Sequence, residues 1–284
     1  MEGTRVRRLE ERDIPAAIAL TDLEAWGYTA ADFRRLLDLS PEGCFAAELR
    51  GRVVGVLTTT TYGPLAFLGA VIVSPDLRGK GVGQQMMEAA LRYLQEIGVR
   101  TVRLYAYLNA VRFYERLGFQ AEYEVVRWHG VAKAEAGHSG VRPIHPEDLE
   151  GLVRMDGTYF GSDRRALIAR LAKEFANTFL IADRADDHRG FIVGAASETS
   201  CEIGPWVVEP TSKDAAEHLF NALIQATGTS EVAFSGPSRN KALLDFVRAH
   251  RLSEVFRALR MRWGENEFRG DPGGIWALGG LEKG

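Results

Sequence analysis

The segment Val73-Ser74-Pro75-Asp76-Leu77-Arg78-Gly79-Lys80-Gly81-Val82-Gly83 constrains this chain more than any other. It follows an apolar run, Leu65 to Val73, that is rich in strand formers and ended by Ser74-Pro75. It leads into Val82 to Ile97, where Met86, Ala90, Leu91 and Leu94 recur at helical spacing. A strand, a glycine-rich turn and a helix are expected in that order. Glycines tolerate positive φ and admit a ligand close to the backbone, so successive N–H groups can converge on an anion at the positive end of the helix. The turn is a candidate phosphate cradle, although the bare pattern also suits a tight connection. It is neither of the common nucleotide motifs, because both the GxxxxGK[ST] spacing and a GxGxxG early in a βαβ unit are missing.

Around this feature the chain reads as two α/β units. Val6 to Leu9 is a short strand, Asp13 a candidate N-cap with Pro15 in the first turn, and a helix runs through Leu23. Ala30 to Leu39 has helical spacing. Cys44 to Leu49 and Val53 to Thr59 flank the turn-like Arg50-Gly51-Arg52 and predict a hairpin. After the glycine-rich turn and its helix come a strand, Val102 to Tyr107, a short helix carrying Phe113, Tyr114 and Leu117 with Gly118 as C-cap, and a strand near Tyr123 to Trp128. This first domain covers 1–130. Residues 131–140 lack periodicity and read as a linker. The opening then repeats, Val141-Arg142-Pro143-Ile144-His145-Pro146-Glu147-Asp148 echoing Val6 to Asp13, and Trp206-Val207-Val208-Glu209-Pro210 echoing Val71 to Pro75. Residues 141–284 are expected to be a diverged copy, chance likeness between two α/β domains being the alternative.

Bulk properties narrow the functional classes. With 284 residues, 46% hydrophobic and 26% charged, the chain suits two packed domains. A formal net charge of -3 gives no general attraction to nucleic acid, and the short basic runs Arg5 to Arg8 and Arg257 to Arg262 read as solvated faces. Cys44 and Cys201 form no metal-binding spacing and suit a reducing compartment. The charged N-terminus and the lack of a long apolar stretch imply a cytoplasmic protein with no membrane partner. Monomer and homodimer both remain open.

Arg78, Gly81 and Gly83 fill the defined positions of R/Q-x-x-G-x-G/A. Further on, Asn109-Ala110-Val111-Arg112-Phe113-Tyr114-Glu115-Arg116-Leu117-Gly118-Phe119 is similar to N-x-x-A-x-x-x-Y-x-x-x-G-F. These two motifs, in this order, resemble those of the GCN5-related N-acetyltransferase (GNAT) superfamily. Arg112, where a small residue is frequent, and Tyr105-Ala106-Tyr107-Leu108 before Asn109 depart from the commonest form. The resemblance covers about residues 5 to 128. The whole length resembles the tandem architecture, in which a degenerate acetyltransferase-like domain follows the active one and each is a twisted mixed α/β sheet flanked by helices.

The resemblance implies an N-acetyltransferase moving an acetyl group from acetyl-CoA to a primary amine by direct attack in a ternary complex, with no metal. It assigns the thioester oxygen to backbone donors at Ile72 and Val73, and the pyrophosphate to Arg78, Gly79, Lys80, Gly81, Val82 and Gly83. Asn109 would bond the pantetheine or fix the loop. Tyr114 matches the tyrosine that protonates the departing thiolate, the alternative being a packed helix tyrosine. For the general base Glu48, Glu24 and ordered water remain open. Cys44, on an apolar strand, reads as core and not as nucleophile. A non-catalytic acyl-CoA sensor is the rival function, whereas phosphoryl transfer lacks its acidic metal ligands and P-loop lysine.

The second half lacks the site. Aligned on Val208-Glu209-Pro210, the positions of Gly79, Gly81 and Gly83 become Asp214, Ala216 and His218, and Phe246 stands in the place of Tyr114. This half is expected to cover a face of the first and complete the acceptor cleft. Ser162 or Asp163 would cap a helix opening at Gly161 to Arg165, with Asp163 or Arg164 as possible substrate contacts, and Trp206 and Trp276 as core.

Overall fold

The computed structural model describes residues 3–133, 140–184 and 187–284. The first half contains β1 (Thr4–Arg8), α1 (Ile14–Asp22), α2 (Ala30–Leu39), β2 (Phe45–Leu49), β3 (Arg52–Tyr62), β4 (Leu65–Val73), α3 (Val82–Glu96), β5 (Thr101–Tyr107), α4 (Val111–Arg116) and β6 (Gln120–Val131). The second half repeats that order with β7 (Val141–Pro143), α5 (Leu149–Phe160), α6 (Arg165–Glu174), β8 (Phe179–Arg184), β9 (Asp187–Ala196), β10 (Ser200–Val208), α7 (Lys213–Thr227), β11 (Glu231–Pro237), α8 (Lys241–Ala249) and β12 (Ser253–Gly264), then adds β13 (Ile275–Ala277). Local chemistry explains the joints. Arg50 and Gly51 both take left-handed φ at the tip of the β2–β3 hairpin, the twist a two-residue turn requires. Thr29 and Asp32 form a reciprocal capping box on α2. On α3, Met86, Met87, Ala90, Leu91 and Leu94 form the buried stripe that packs on β3 and β4.

The strands form one mixed sheet in the order β1-β2-β3-β4-β5-β12-β6-β11-β10-β9-β8-β7, with β13 pairing β10. The last strand of each repeat crosses to the other. β12 pairs β5 from Ala258 opposite Tyr107 to Gly264 opposite Thr101, and β6 pairs β11 from Glu231 opposite Val131 to Pro237 opposite Val125. The two exchanged strands also pair with each other and close the seam. The expected boundary therefore divides two repeats in sequence but not two separate sheets. Of the expected linker, Val131 still belongs to β6, Ala132 is buried with its N–H on Ser230 O at 2.7 Å, and Gly140 O accepts from Asp183 N at 3.0 Å. Residues 134–139 lie outside the described residues.

The copy is carried in detail by one motif. Arg7 donates two bonds to Asp13 at 2.6 and 2.9 Å, and Asp13 accepts from Glu10 N at 2.9 Å. Arg142 and Asp148 repeat this at 2.8 and 2.7 Å, with His145 N bonded to Asp148 at 2.7 Å. Asp13 was expected to cap α1. Its carboxylate instead turns back onto the preceding turn, because the arginine on the adjacent strand holds it there.

The paired guanidinium holds the Asp13 carboxyl below its usual pKa, as Arg142 does for Asp148. A carboxyl depressed on folding contributes stability that is full above its unfolded pKa of about 3.9 and is lost as pH falls through the lower folded value. Asp13→Asn is expected to lower unfolding free energy by about 2 kcal/mol at pH 7, measured by urea denaturation, with the gap to wild type closing as the pH is taken well below 4. Asp148→Asn should cost less, because Arg142 is 38% exposed against 15% for Arg7.

Candidate active site

β4 and β5 are parallel neighbours only from Leu65 to Leu68, opposite Thr101 to Leu104. Beyond that they part. On its other edge β4 pairs β3 with Thr58 opposite Gly69 and Val56 opposite Ile72, so β4 carries one extra residue, and Ala70 takes φ 46. A bulge of this kind bends the strand that carries it. It aims residues 70–73 away from Tyr105 to Tyr107 and opens a wedge. Ser74 N bonds to Val54 O at 2.8 Å, which puts Ile72 in the same phase of the ladder with its N–H and C=O turned to Val56 on β3; of the two expected donors only Val73 turns its N–H to the wedge.

The glycine-rich turn stands at the end of this wedge. Gly79 and Gly81 take φ 74 and 84, with nothing within 4 Å of where a Cβ would be. Gly81 caps α3 without a side-chain bond and no acidic residue enters the first turn, so its first amides keep their intrinsic lack of an acceptor. Lys80 is exposed beside them and Val82 is buried as the anchor of the helix. A Cβ on Gly83 would lie 3.6 Å from Phe113 Cζ and 3.7 Å from Val73 Cγ2. The end of β4, the first turn of α3 and helix α4 thus converge, bringing together the two sequence motifs. Tyr114 is 8% exposed and packs edge-on to Phe113 and Phe119. Burial pushes its phenol pKa up, which keeps the proton on at neutral pH. Asn109 is exposed on the turn between β5 and α4; counted back from Tyr114, the asparagine position of the motif falls on Tyr107 and its small residue on Ala110, so neither Asn109 nor Arg112 holds the place expected of it.

Arg78 donates to Val73 O at 3.0 Å and to Glu24 at 2.6 Å, locking the turn to the α1–α2 connection. Two residues on from Glu24, Trp26 stands 6.2 Å from Tyr107, so this connection flanks the end of β5. Glu48 is elsewhere: it accepts from Arg7 at 2.8 Å, in register with Arg5 and Val53 on β2. Sequence analysis missed the aromatic wall and one acid. Trp26, Tyr28, Tyr107 and Phe256 stand in series, Trp26 being 6.4 Å from Tyr28 and 6.2 Å from Tyr107, and Phe256 5.1 Å from Tyr107. Glu282 is 6% exposed and accepts from Tyr28 Oη at 3.1 Å. Two aromatics in the short loop around Gly27 were a usable signal; nothing local marked Glu282.

In the second half the site is dismantled in a different way from that expected. From β1 to β4 the repeats keep a constant spacing of 135 residues (7 to 142, 13 to 148, 73 to 208). The connection from β4 to α3 is then eight residues, 74–81, against four from β10 to α7, 209–212. Asp214, Ala216 and His218 accordingly lie within α7 and do not replace the three glycines; the cradle has been shortened out of existence. Its wedge is also filled. β10 pairs β11 only over Ser200 to Glu202, and past that point β13 bonds to β10 while Leu278 N donates to Ser235 O at 2.8 Å. Trp206 and Trp276 are core, as expected, with rings 5.0 Å apart.

Three smaller expectations change. Phe119 N bonds to Tyr114 O, and Leu252 N to Val247 O, so the counterpart of Tyr114 is Val247; Phe246, one residue earlier, packs against Trp206. The hydroxyl is missing either way. Arg164 is no surface contact: it is buried, forked onto Asp156 at 2.5 and 2.9 Å, and donates to Gly284 O at 2.6 Å. Asp163, exposed, accepts from Arg165 N at 2.6 Å, and Ser162 donates to Tyr62 O at 2.8 Å in place of capping α6.

Models of the acetyltransferase (GNAT) family match residues 7–119 and, for a second GNAT acetyltransferase domain, 152–277. The chain belongs to the GNAT acetyltransferase family and carries two such domains in tandem. It is 24% identical over 264 residues to the holothin acyltransferase of Pseudoalteromonas sp., covering 92% of this chain and 88% of that protein. It is 35% identical over 138 residues to the mycothiol acetyltransferase of Thermobispora bispora, covering 42% of this chain and 47% of that one, so it spans about half the length of that relative. A crystal structure of a protein from Pyrococcus horikoshii superposes with a TM-score of 0.85 at 23% identity, covering 100% of this chain and 97% of that one, which speaks for the fold alone. Among the described residues no helix is long and apolar enough to cross a membrane, and no group of three or more His, Cys, Asp or Glu is placed to hold a metal ion.

Both cysteines are free and buried, and burial pushes Cys44 up to about 11 and Cys201 up to about 12. Thiolate is the reactive form. Native protein at pH 8 is therefore expected to resist labelling by a disulfide reagent, whereas denatured protein releases two equivalents per chain. Rapid labelling of the native state would show that a thiol is exposed.

Proposed function

We propose that the chain transfers an acetyl group from acetyl-CoA to a primary amine in the wedge between β4 and β5. The supporting observation is the coincidence of two features at one opening: a strand edge left unpaired by the bulge at Ala70, and the glycine-capped N-terminus of α3 at its mouth. Acyl-CoA asks for both, an anion site for its diphosphate and unpaired main chain for the amides of its pantetheine arm. Arg78, Gly79, Lys80, Gly81, Val82 and Gly83 would hold the first, and Val73 and Asn109 would meet the second. That a full-length relative is an acyltransferase by name, and a partial one an acetyltransferase, supports transfer and the acetyl group respectively.

In this scheme the amine nitrogen attacks the thioester carbonyl carbon, the C–S bond breaks and an amide forms. The main-chain N–H of Val73 stabilises the oxyanion, that of Ile72 being turned to β3. Tyr114 gives its proton to the departing thiolate, and the proton lost by the amine passes to a base. Glu48 is committed to Arg7 and Glu24 to Arg78, which favours ordered water over either carboxylate as that base. Most of the acceleration comes from holding both reactants in one cleft.

Tyr114→Phe keeps the ring packing and removes the donor. Turnover, followed by thiol release with a panel of amines, is expected to fall by roughly 10² to 10⁴-fold, with acetyl-CoA affinity level. Unchanged turnover under conditions where chemistry limits the rate would remove Tyr114 from the mechanism, and a parallel loss of affinity would make it a binding or packing residue.

A further inference from the structure

We propose that the acceptor is an aralkyl primary amine with no carboxylate beside its nitrogen, and that Glu282, supplied by the second half, is the group that binds that nitrogen; this rests on the transfer function proposed above. After β13 the chain runs back across the first half. Tyr62 Oη donates to Lys283 O at 2.8 Å and Thr60 Oγ1 to Glu282 O at 3.2 Å, fixing the segment over β3. Glu282 lies directly on Gly69, where an added Cβ would come within 2.0 Å of Glu282 Cβ. Gly69 immediately precedes Ala70, where β4 turns from β5. The second half therefore places a carboxylate at the root of the wedge, in reach of the α1–α2 connection through Tyr28.

The surroundings select for charge and shape. From Glu282 the row Tyr28, Trp26, Tyr107, Phe256 extends toward the free end of β5, each ring half-buried and so able to take a flat apolar body. Aromatic faces and a carboxylate together favour a cation. The other charges nearby are already paired, Glu24 with Arg78, Asp32 with Arg35 and Arg127 with Glu202, so an anion finds no unpaired cation among them. A carboxylate this buried is costly without a cationic partner. The chain supplies one, the ammonium of Lys283 on the same carboxylate, which is the chemical group a primary amine acceptor would offer in its stead.

The test compares acetyl transfer to phenethylamine and tyramine with transfer to phenylalanine and tyrosine, in full-length wild type, Glu282→Gln and Lys283→Met, with thermal melting to confirm folding. Wild type is expected to favour each amine over its amino acid by at least tenfold in kcat/KM. Glu282→Gln should raise KM for the amines at least tenfold, leave KM for acetyl-CoA level and narrow the discrimination. Lys283→Met should lower KM for the amines by removing an internal competitor. The inference is overturned if the amino acids serve equally well, if Glu282→Gln leaves the amine KM unchanged, or if Lys283→Met raises it as Glu282→Gln does, which would make the pair a structural clasp. Failure of both aralkylamines, with transfer to other amines intact, overturns the acceptor assignment and leaves acetyl transfer standing.

Discussion

Two parallel strands that bond for four residues and then part set the terms for the rest of this molecule. The parting follows from one inserted residue, since Ala70 has no counterpart on β3 and adopts a left-handed φ to absorb the difference. Everything assigned to the site is placed by that event. The unpaired edge of residues 70–73 faces a gap, α3 starts at the far end of it, Tyr114 enters through α4, and Glu282 rests on the glycine just before the bend. An unpaired strand edge is a liability in most sheets. Here it is kept in one repeat and abolished in the other, where β13 lies against the equivalent edge of β10.

The two repeats differ in what they keep. The second half keeps the Arg–Asp clasp at its opening, the helix order and the parting strands, all of which hold the fold. It has shortened the counterpart of the glycine-rich turn and filled its wedge with its own chain. The chain that fills it continues into the first half, so closing one wedge and placing Glu282 on Gly69 beside the other are consecutive parts of one segment, from Ile275 to Gly284. Strand exchange makes the dependence mutual. A fragment ending before residue 141 would leave β5 without β12 along its whole length, so the first repeat is not a free-standing domain.

Features legible in the sequence were those fixed by near neighbours. The glycine-rich turn, the hairpin at Arg50-Gly51, the helix around Tyr114 and the echo of Arg7 and Asp13 in Arg142 and Asp148 all depend on residues within a few positions of one another. Family membership rested on two such motifs and is upheld by matches to both halves. What was not legible depends on distant pairing. No local pattern tells β12 to lie beside β5, or Glu282 to lie on Gly69. A fixed offset carried past Pro210 also misplaced the second-half positions, because a four-residue deletion leaves no mark inside a surface loop. Arg164 looked like a polar group at a helix start and proved buried, since its partner Asp156 is one helix away and only folding joins them.

The central claim is that one repeat works and the other has been closed. Calorimetric titration of the full-length chain with acetyl-CoA tests it directly. The account predicts one site per chain, and none in Gly81→Asp, which brings a side chain and a negative charge into the open turn and strains its left-handed backbone. Two equivalent sites, or one site that survives Gly81→Asp, would contradict it.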